Sequence, residues 1–82
     1  TRLKKRANNL LKNFTEREID VLHLLLLGLN NKEISEKLFI SNHTTKVHVA
    51  SIYKKLGVSN RVQAAVKSLI LGADKIFNFK LF

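Results

Sequence analysis

The stretch Ser-Asn-His-Thr-Thr-Lys-Val-His-Val-Ala-Ser-Ile-Tyr-Lys-Lys-Leu-Gly, residues 41–57, decides how the rest of the chain is read. As a helix it sets Thr45, Val49, Ile52 and Leu56 on one stripe at i, i+4, i+7, i+11 spacing, and that stripe is fit for burial. The opposite side carries His43, Lys46, Val47, Ala50 and Lys54, a set of short, basic and small apolar groups. A helix face that serves only solvation usually interleaves Glu with Lys, so that charges pair along it. This face has no acid. It suits a polyanion with methyl groups in a groove, which is what the major groove of DNA presents.

The rest of the composition narrows the setting. A chain of 82 residues, 45% of them hydrophobic, has room for one small domain and one core. Without cysteine there is no disulfide framework and no thiolate metal site, which agrees with a reducing compartment. The longest apolar run, Leu24 to Leu27, falls far short of the roughly 20 residues that span a bilayer, and no secretory signal precedes it. The net charge of +9 favours an anionic partner. Its distribution is sharper than its size. Between Lys37 and Ala73 there is no Asp or Glu, yet Lys46, Lys54, Lys55, Arg61 and Lys67 all lie there. By charge alone a solvated basic surface explains this equally well; the outward face of the 41–57 helix moves the balance toward nucleic acid.

Taken in order, residues 1–13 are basic (Arg2, Lys4, Lys5, Arg6, Lys12) and read as a linker or a short helix. They are a solvated tail or, alternatively, an arm that touches phosphates. Thr15 with Glu18 forms a reciprocal capping box that starts a helix whose apolar face (Ile19, Val21, Leu22, Leu25, Leu26) runs up to Gly28. His23 within it is a packing or surface residue. Asn30 with Glu33 forms a second box and starts a shorter helix through Leu38, with Ile34 and Leu38 inward. The connection Phe39-Ile40-Ser41 is a tight turn whose apolar side chains are expected to fill the gap between two steeply crossing helices, with Ser41 as the next N-cap. Two helices so joined, the second basic on its outer side, make a helix-turn-helix. Gly57 stops the third helix, and Asn60 with Gln63 predicts a third box opening a fourth, apolar along Val62, Ala65, Val66, Leu69 and Ile70 up to Gly72. Its small residues Ala64 and Ala65 admit a close neighbour, either the domain's own core or a second subunit. Ile76, Phe77, Phe79, Leu81 and Phe82 make the tail adhesive, so it is expected to fold back or meet a partner. The expected architecture is all-α, a four-helix bundle with a central helix-turn-helix over 14–72, a basic segment at 1–13 and a tail at 73–82.

These blocks are similar, in order and spacing, to a known family. Phe14-Thr-Glu-Arg-Glu-Ile-Asp-Val-Leu, Gly28-Leu-Asn-Asn-Lys-Glu-Ile-Ser-Glu-Lys-Leu-Phe-Ile-Ser, Thr44-Thr-Lys-Val-His-Val, Lys55-Leu-Gly-Val and Asn60-Arg-Val-Gln-Ala together resemble the LuxR-type (NarL/FixJ) helix-turn-helix domain. The resemblance covers about residues 14–72. It implies that the helix over 42–56 enters the major groove, that helix 60–72 forms a homodimer contact through Val62, Ala65, Val66 and Leu69, and that the domain is the cytoplasmic output module of a two-component response regulator or, alternatively, of an autoinducer receptor. It further implies Lys46 and Val47 as principal base readers flanked by His43 and Ala50. Thr44, Thr45, His48 and Ser51 would stand near phosphates, with Lys32, Lys54 and Arg61 as further phosphate contacts. No cofactor, metal or membrane is implied, and RNA polymerase is a second partner the resemblance allows. Two positions depart from the family. Thr45 stands where relatives usually carry Val, so its hydroxyl is expected to bond back to a carbonyl of the preceding turn. Ala50 stands where some relatives carry a polar or basic reader, which leaves more of the readout to Lys46 and to a methyl contact from Val47.

The residue chemistry agrees with these expectations. Lys46 can donate to guanine N7 and O6, and Val47 can pack on a thymine methyl. Flanking hydroxyls and cations fix register without reading sequence. An enzyme is not expected, since there is no cysteine nucleophile or Gly-rich phosphate loop, and the carboxylates read as caps or surface groups. His43 and His48 are five apart and do not share a helix face, so they do not read as a metal pair. Two rival readings are a sigma-factor-like promoter reader, which gives no reason for a fourth helix bearing small residues, and a protein-interaction bundle whose basic face meets an acidic partner.

Overall fold

Each of the four longer helices of this domain begins where a side chain takes up an amide the helix leaves unpaired. The structure, a computed structural model, describes residues 12–78. Residues 1–11 and 79–82, which include most of the basic segment and Phe79, Leu81 and Phe82 of the tail, lie outside the described residues. Helix α1 spans Glu16–Leu26, α2 Asn31–Leu38, α3 Asn42–Leu56, α4 Arg61–Ile70 and α5 Ala73–Ile76. At α1 the Glu18 amide donates to Thr15 Oγ1 (3.1 Å) and the Thr15 amide donates to Glu18 Oε1 (2.9 Å). At α2 the same exchange joins Asn30 and Glu33, both bonds 2.9 Å. Helix α3 is capped by Ser41, whose Oγ accepts from the Thr44 amide at 2.9 Å.

The third expected box closes differently. Asn60 Oδ1 takes the Gln63 amide (2.9 Å), but Gln63 Oε1 accepts from the Ser59 amide (2.8 Å), one residue earlier than the reciprocal pattern requires. The extended Asn60 backbone, at φ −154° and ψ 173°, lies between the two.

Helix α3 is the hub, packing against α1, α2 and α4. Its stripe Thr45, Val49, Ile52 and Leu56 is buried, as the spacing predicts, against Ile19, Val21, Leu22 and Leu25 of α1 and Ile34 of α2. Helix α4 contributes Ala64 and Ser68 to the core instead of its larger residues. Val62, Val66, Leu69 and Ile70 face outward, with Val62 73% and Ile70 75% exposed. Ala65 is half-buried. Small residues inside let α4 approach α3 closely, and the price is a core hydroxyl: Ser68 Oγ has no hydrogen-bond partner among the described residues. Beyond Gly72 the chain turns back, and α5 brings Ala73, Ile76 and Phe77 into the core. Phe77 lies flat against His23, ring centroids 4.8 Å apart and planes 3° from parallel. Burial pushes the His23 imidazole below its usual pKa, and the Asp20 carboxylate only partly opposes this. His23 is therefore a packing residue.

Three helix ends share one build; after α1 it is Gly28 (φ 96°), with the Leu29 amide on the Leu24 carbonyl at 3.1 Å. After α3, Gly57 takes a left-handed backbone (φ 72°), and the Val58 amide reaches back to the Tyr53 carbonyl at 2.9 Å. After α2, Phe39 takes the same left-handed conformation (φ 57°), and the Ile40 amide reaches the Ser35 carbonyl at 3.0 Å. This corrects the expectation for the turn. Phe39 is 95% exposed and fills no gap; Ile40, half-buried, is the residue that turns inward. A left-handed residue with a β-carbon costs about 1–2 kcal/mol, which glycine avoids. Phe39→Gly is therefore expected to stabilise the domain by about 1 kcal/mol, read as a higher urea midpoint at unchanged m-value. A lower midpoint would mean that the aromatic ring holds the turn.

Candidate nucleic-acid interface

The outward face of α3 is held in place by a carboxylate that its sequence position disguises. Glu18 closes the cap of α1, yet it lies four and seven residues before Leu22 and Leu25 and shares their buried stripe. Its Oε1 receives Lys55 Nζ at 2.6 Å as well as the Thr15 amide, and its Oε2 receives the hydroxyl of Ser51. Ser51 and Lys55 are successive turns of α3. The carboxylate thus clamps the first turn of α1 to the last two turns of the third helix. Lys55 continues outward to the Asn13 carbonyl (2.9 Å) and lies 5.6 Å from the centre of the Phe14 ring. Burial alone would push the Glu18 carboxyl up. The bonds from Lys55, Ser51 and the Thr15 amide, with the charge of Lys55, outweigh it and hold the group at about 2.

A second tie sets the angle between α2 and α3. Ser35, buried on α2, shares its one hydroxyl proton between the Lys32 carbonyl (2.7 Å) and Asn42 Oδ1 (2.9 Å) at the first residue of α3. A third tie holds the loop after α1, where Arg61 Nη2 donates to the carbonyls of Leu25 (2.7 Å) and Leu29 (2.6 Å). Sequence reading missed all three. For Glu18 the signal was its spacing to Leu22 and Leu25; for Arg61 and Asn42 no local pattern marks the partner.

These ties sort the expected site residues. His43, Lys46, Val47, Ala50 and Lys54 are exposed together along α3, with Val47 52% exposed, and Lys32 is exposed on α2. Thr44 and His48 are half-exposed beside them. Three expected phosphate contacts are otherwise engaged. Thr45 has no exposed surface, and its hydroxyl donates to the Ser41 carbonyl at 3.1 Å, the back-bond its departure from Val predicts. Ser51 gives its hydroxyl to Glu18, and Arg61 turns Nη2 of its guanidinium to the two carbonyls. No carboxylate lies on α3, and its first turn is free of acid. Between the start of α2 and this face runs an open groove of about 330 Å³ lined by Asn31, Lys46, Val49, Ala50 and Tyr53.

Residues 12–68 match the family described as bacterial regulatory proteins, luxR family, which takes in every helix from α1 to most of α4. The chain belongs to the luxR family. It is a helix-turn-helix DNA-binding domain of that kind, related to transcriptional regulators of the response-regulator type. It is 55% identical over 66 residues to the transcriptional regulatory protein LnrK of Bacillus subtilis (strain 168), covering 80% of this chain and 30% of LnrK. It is 52% identical over 52 residues to the nitrate/nitrite response regulator protein NarP of Escherichia coli (strain K12), covering 63% of this chain and 24% of NarP. The transcriptional regulatory protein LiaR of Bacillus subtilis (strain 168) is 46% identical over 68 residues, 80% of this chain and 32% of LiaR. The chain thus spans about a third or less of each of these relatives. Among the described residues no helix is long and apolar enough to cross a membrane.

The clamp on α3 depends on an ionised Glu18. Its pKa falls from 4.5 to about 2 on folding, so the stabilisation it gives is complete above pH 4.5 and is lost as the pH drops toward 2. That loss is expected to be on the order of 3 kcal/mol. Urea unfolding of the wild-type domain at pH 7, 4.5 and 3 should show about 2 kcal/mol of it, the rest falling below pH 3. Glu18→Gln should be less stable at pH 7 and lose less over the same interval. Parallel pH profiles for the two proteins would show that the clamp is not the titrating element.

Proposed function

We propose that α3 lies in the major groove of double-stranded DNA and reads a specific site there, and that the chain is the output domain of a cytoplasmic two-component response regulator. The observation that carries this reading is the outward α3 face, acid-free and cationic, on which His43, Lys46 and Lys54 are exposed. Lys46 then donates to guanine N7 and O6, Val47 packs on a thymine methyl, and His43 and Ala50 flank them. Thr44, His48 and Lys54 from α3 and Lys32 from α2 set register on the phosphates. Thr45, Ser51 and Arg61 belong to the frame and not to this set. The likeness to the transcriptional regulatory proteins LnrK and LiaR and to the response regulator NarP supports the regulator context.

The outward row Val62, Val66 and Leu69 on α4, extended by Ile70 and edged by Ala65, supports a homodimer contact through that helix. A two-fold dimer presents two α3 helices to half-sites about 34 Å apart or a multiple of it, so the target is roughly palindromic.

Duplexes enriched from a random library supply the specific ligand for fluorescence anisotropy. Affinity should fall with salt at a log–log slope of about −0.9 for each phosphate neutralised. Lys46→Ala should cost about 1–3 kcal/mol on the enriched duplex and relax its sequence preference. Equal weakening on enriched and random duplex would make Lys46 a phosphate contact instead. Val62→Glu, at an exposed position, should keep the fold by circular dichroism and abolish paired half-site occupancy. An unchanged footprint and sedimentation profile would remove α4 from the interface.

A further inference from the structure

The groove between α2 and α3 shares two residues, Lys46 and Ala50, with the reading face and adds Asn31 and Tyr53, which no expectation included. Tyr53 follows Lys46 and Ala50 at i+7 and i+3, so the three line one side of α3, a quarter-turn from Val47. Its ring leans on the core, while its hydroxyl makes no hydrogen bond among the described residues. The side-chain amide of Asn31 is likewise unpaired there. None of the five lining residues is acidic. With Lys46 directed at the bases, the groove offers the two neutral donors Tyr53 and Asn31 beside apolar Val49 and Ala50. Sugar carbons with an attached phosphate match that combination, whereas a base edge would leave the apolar pair unused.

We propose that this groove seats one sugar–phosphate unit of the DNA strand bordering α3, with Tyr53 and Asn31 donating to the phosphate beside Lys46. The inference rests on α3 lying in the major groove. A duplex strand is the occupant the groove favours because its mouth is continuous with the reading face, so a strand flanking α3 passes across it. Tyr53 is then a positioning contact that contributes affinity and register and carries no base preference.

The test uses anisotropy with enriched and random duplexes for the wild type, Tyr53→Phe and Asn31→Asp, each checked for fold by circular dichroism. Tyr53→Phe removes one neutral hydrogen bond and is expected to weaken both duplexes alike, by about two- to tenfold. Asn31→Asp sets a carboxylate against the phosphate and should weaken both by about tenfold or more. Scanning the enriched duplex with single methylphosphonates should find one position per half-site where wild type loses affinity and Tyr53→Phe loses nothing further. Wild-type binding with both variants unchanged would overturn the seat and leave the major-groove reading standing. A Tyr53→Phe loss confined to the enriched duplex would make Tyr53 a base contact and also overturn it. Failure of the wild type to bind any duplex would instead sink the parent reading. Inorganic phosphate titrated onto the DNA-free domain should leave the Tyr53 ring resonances unmoved; saturable shifts would make the groove a free-anion site and overturn the proposal.

Discussion

One buried carboxylate orders this domain. Glu18 is nearly out of water, where an isolated charge would be prohibitive, and it stays ionised because α3 supplies an ammonium and a hydroxyl and α1 supplies an amide. The consequence reaches the opposite side of α3. A helix with three lysines and two histidines and no acid repels itself along its length. Bringing the compensating charge from α1, on the inner side and at the C-terminal end, relieves that repulsion without placing a carboxylate where a polyanion would dock. The cation that is neutralised, Lys55, is the one turned away from the reading face.

The clamp fixes α3 at its last turns, and a different set of bonds fixes its first. Ser35 holds Asn42 across the helix-turn-helix, Ser41 caps the opening amides, and Thr45 returns its hydroxyl to the Ser41 carbonyl. With both ends held and the stripe from Thr45 to Leu56 packed, little rotational freedom is left to the helix. A reading helix needs this, because a bidentate contact in the major groove tolerates only small errors of placement. Arg61 extends the same frame by joining the start of α4 to the carbonyls that follow α1. Residues that look like phosphate contacts by type are therefore spent inside the protein on aiming those that remain outside.

Much of this was legible in the sequence because it is local. Caps declare themselves within three residues, and the buried stripe of α3 follows from helical spacing alone. What was hidden depends on partners distant in the chain. Periodicity identified an apolar row on α4, but not that the core would take Ala64 and Ser68 and leave Val62 and Ile70 outside. The choice is set by how closely α4 must approach α3, which no single helix encodes. The same holds for Phe39, whose hydrophobicity argued for burial while the turn demanded a left-handed backbone that carried its side chain into solvent. Glu18 was legible as a cap and illegible as a clamp, since its other partners lie more than thirty residues away.

This separation of frame from face has a consequence for how such a domain can vary. The side chains of His43, Lys46, Val47 and Ala50 form no hydrogen bonds among the described residues and stand outside the buried set. Exchanging them costs little folding energy, because surface positions free of caps and networks usually tolerate substitution within about 0.5 kcal/mol. Thr45 and Ser51, beside them in sequence, and Arg61 on α4 are bonded to the frame, and replacing any of them disturbs the aim of the whole helix. On the proposed reading, a change of target sequence is physically cheap at these four positions and costly at the residues bonded to the frame. The departure at Ala50 follows that division. A small residue there leaves the frame untouched and the groove beside Tyr53 open.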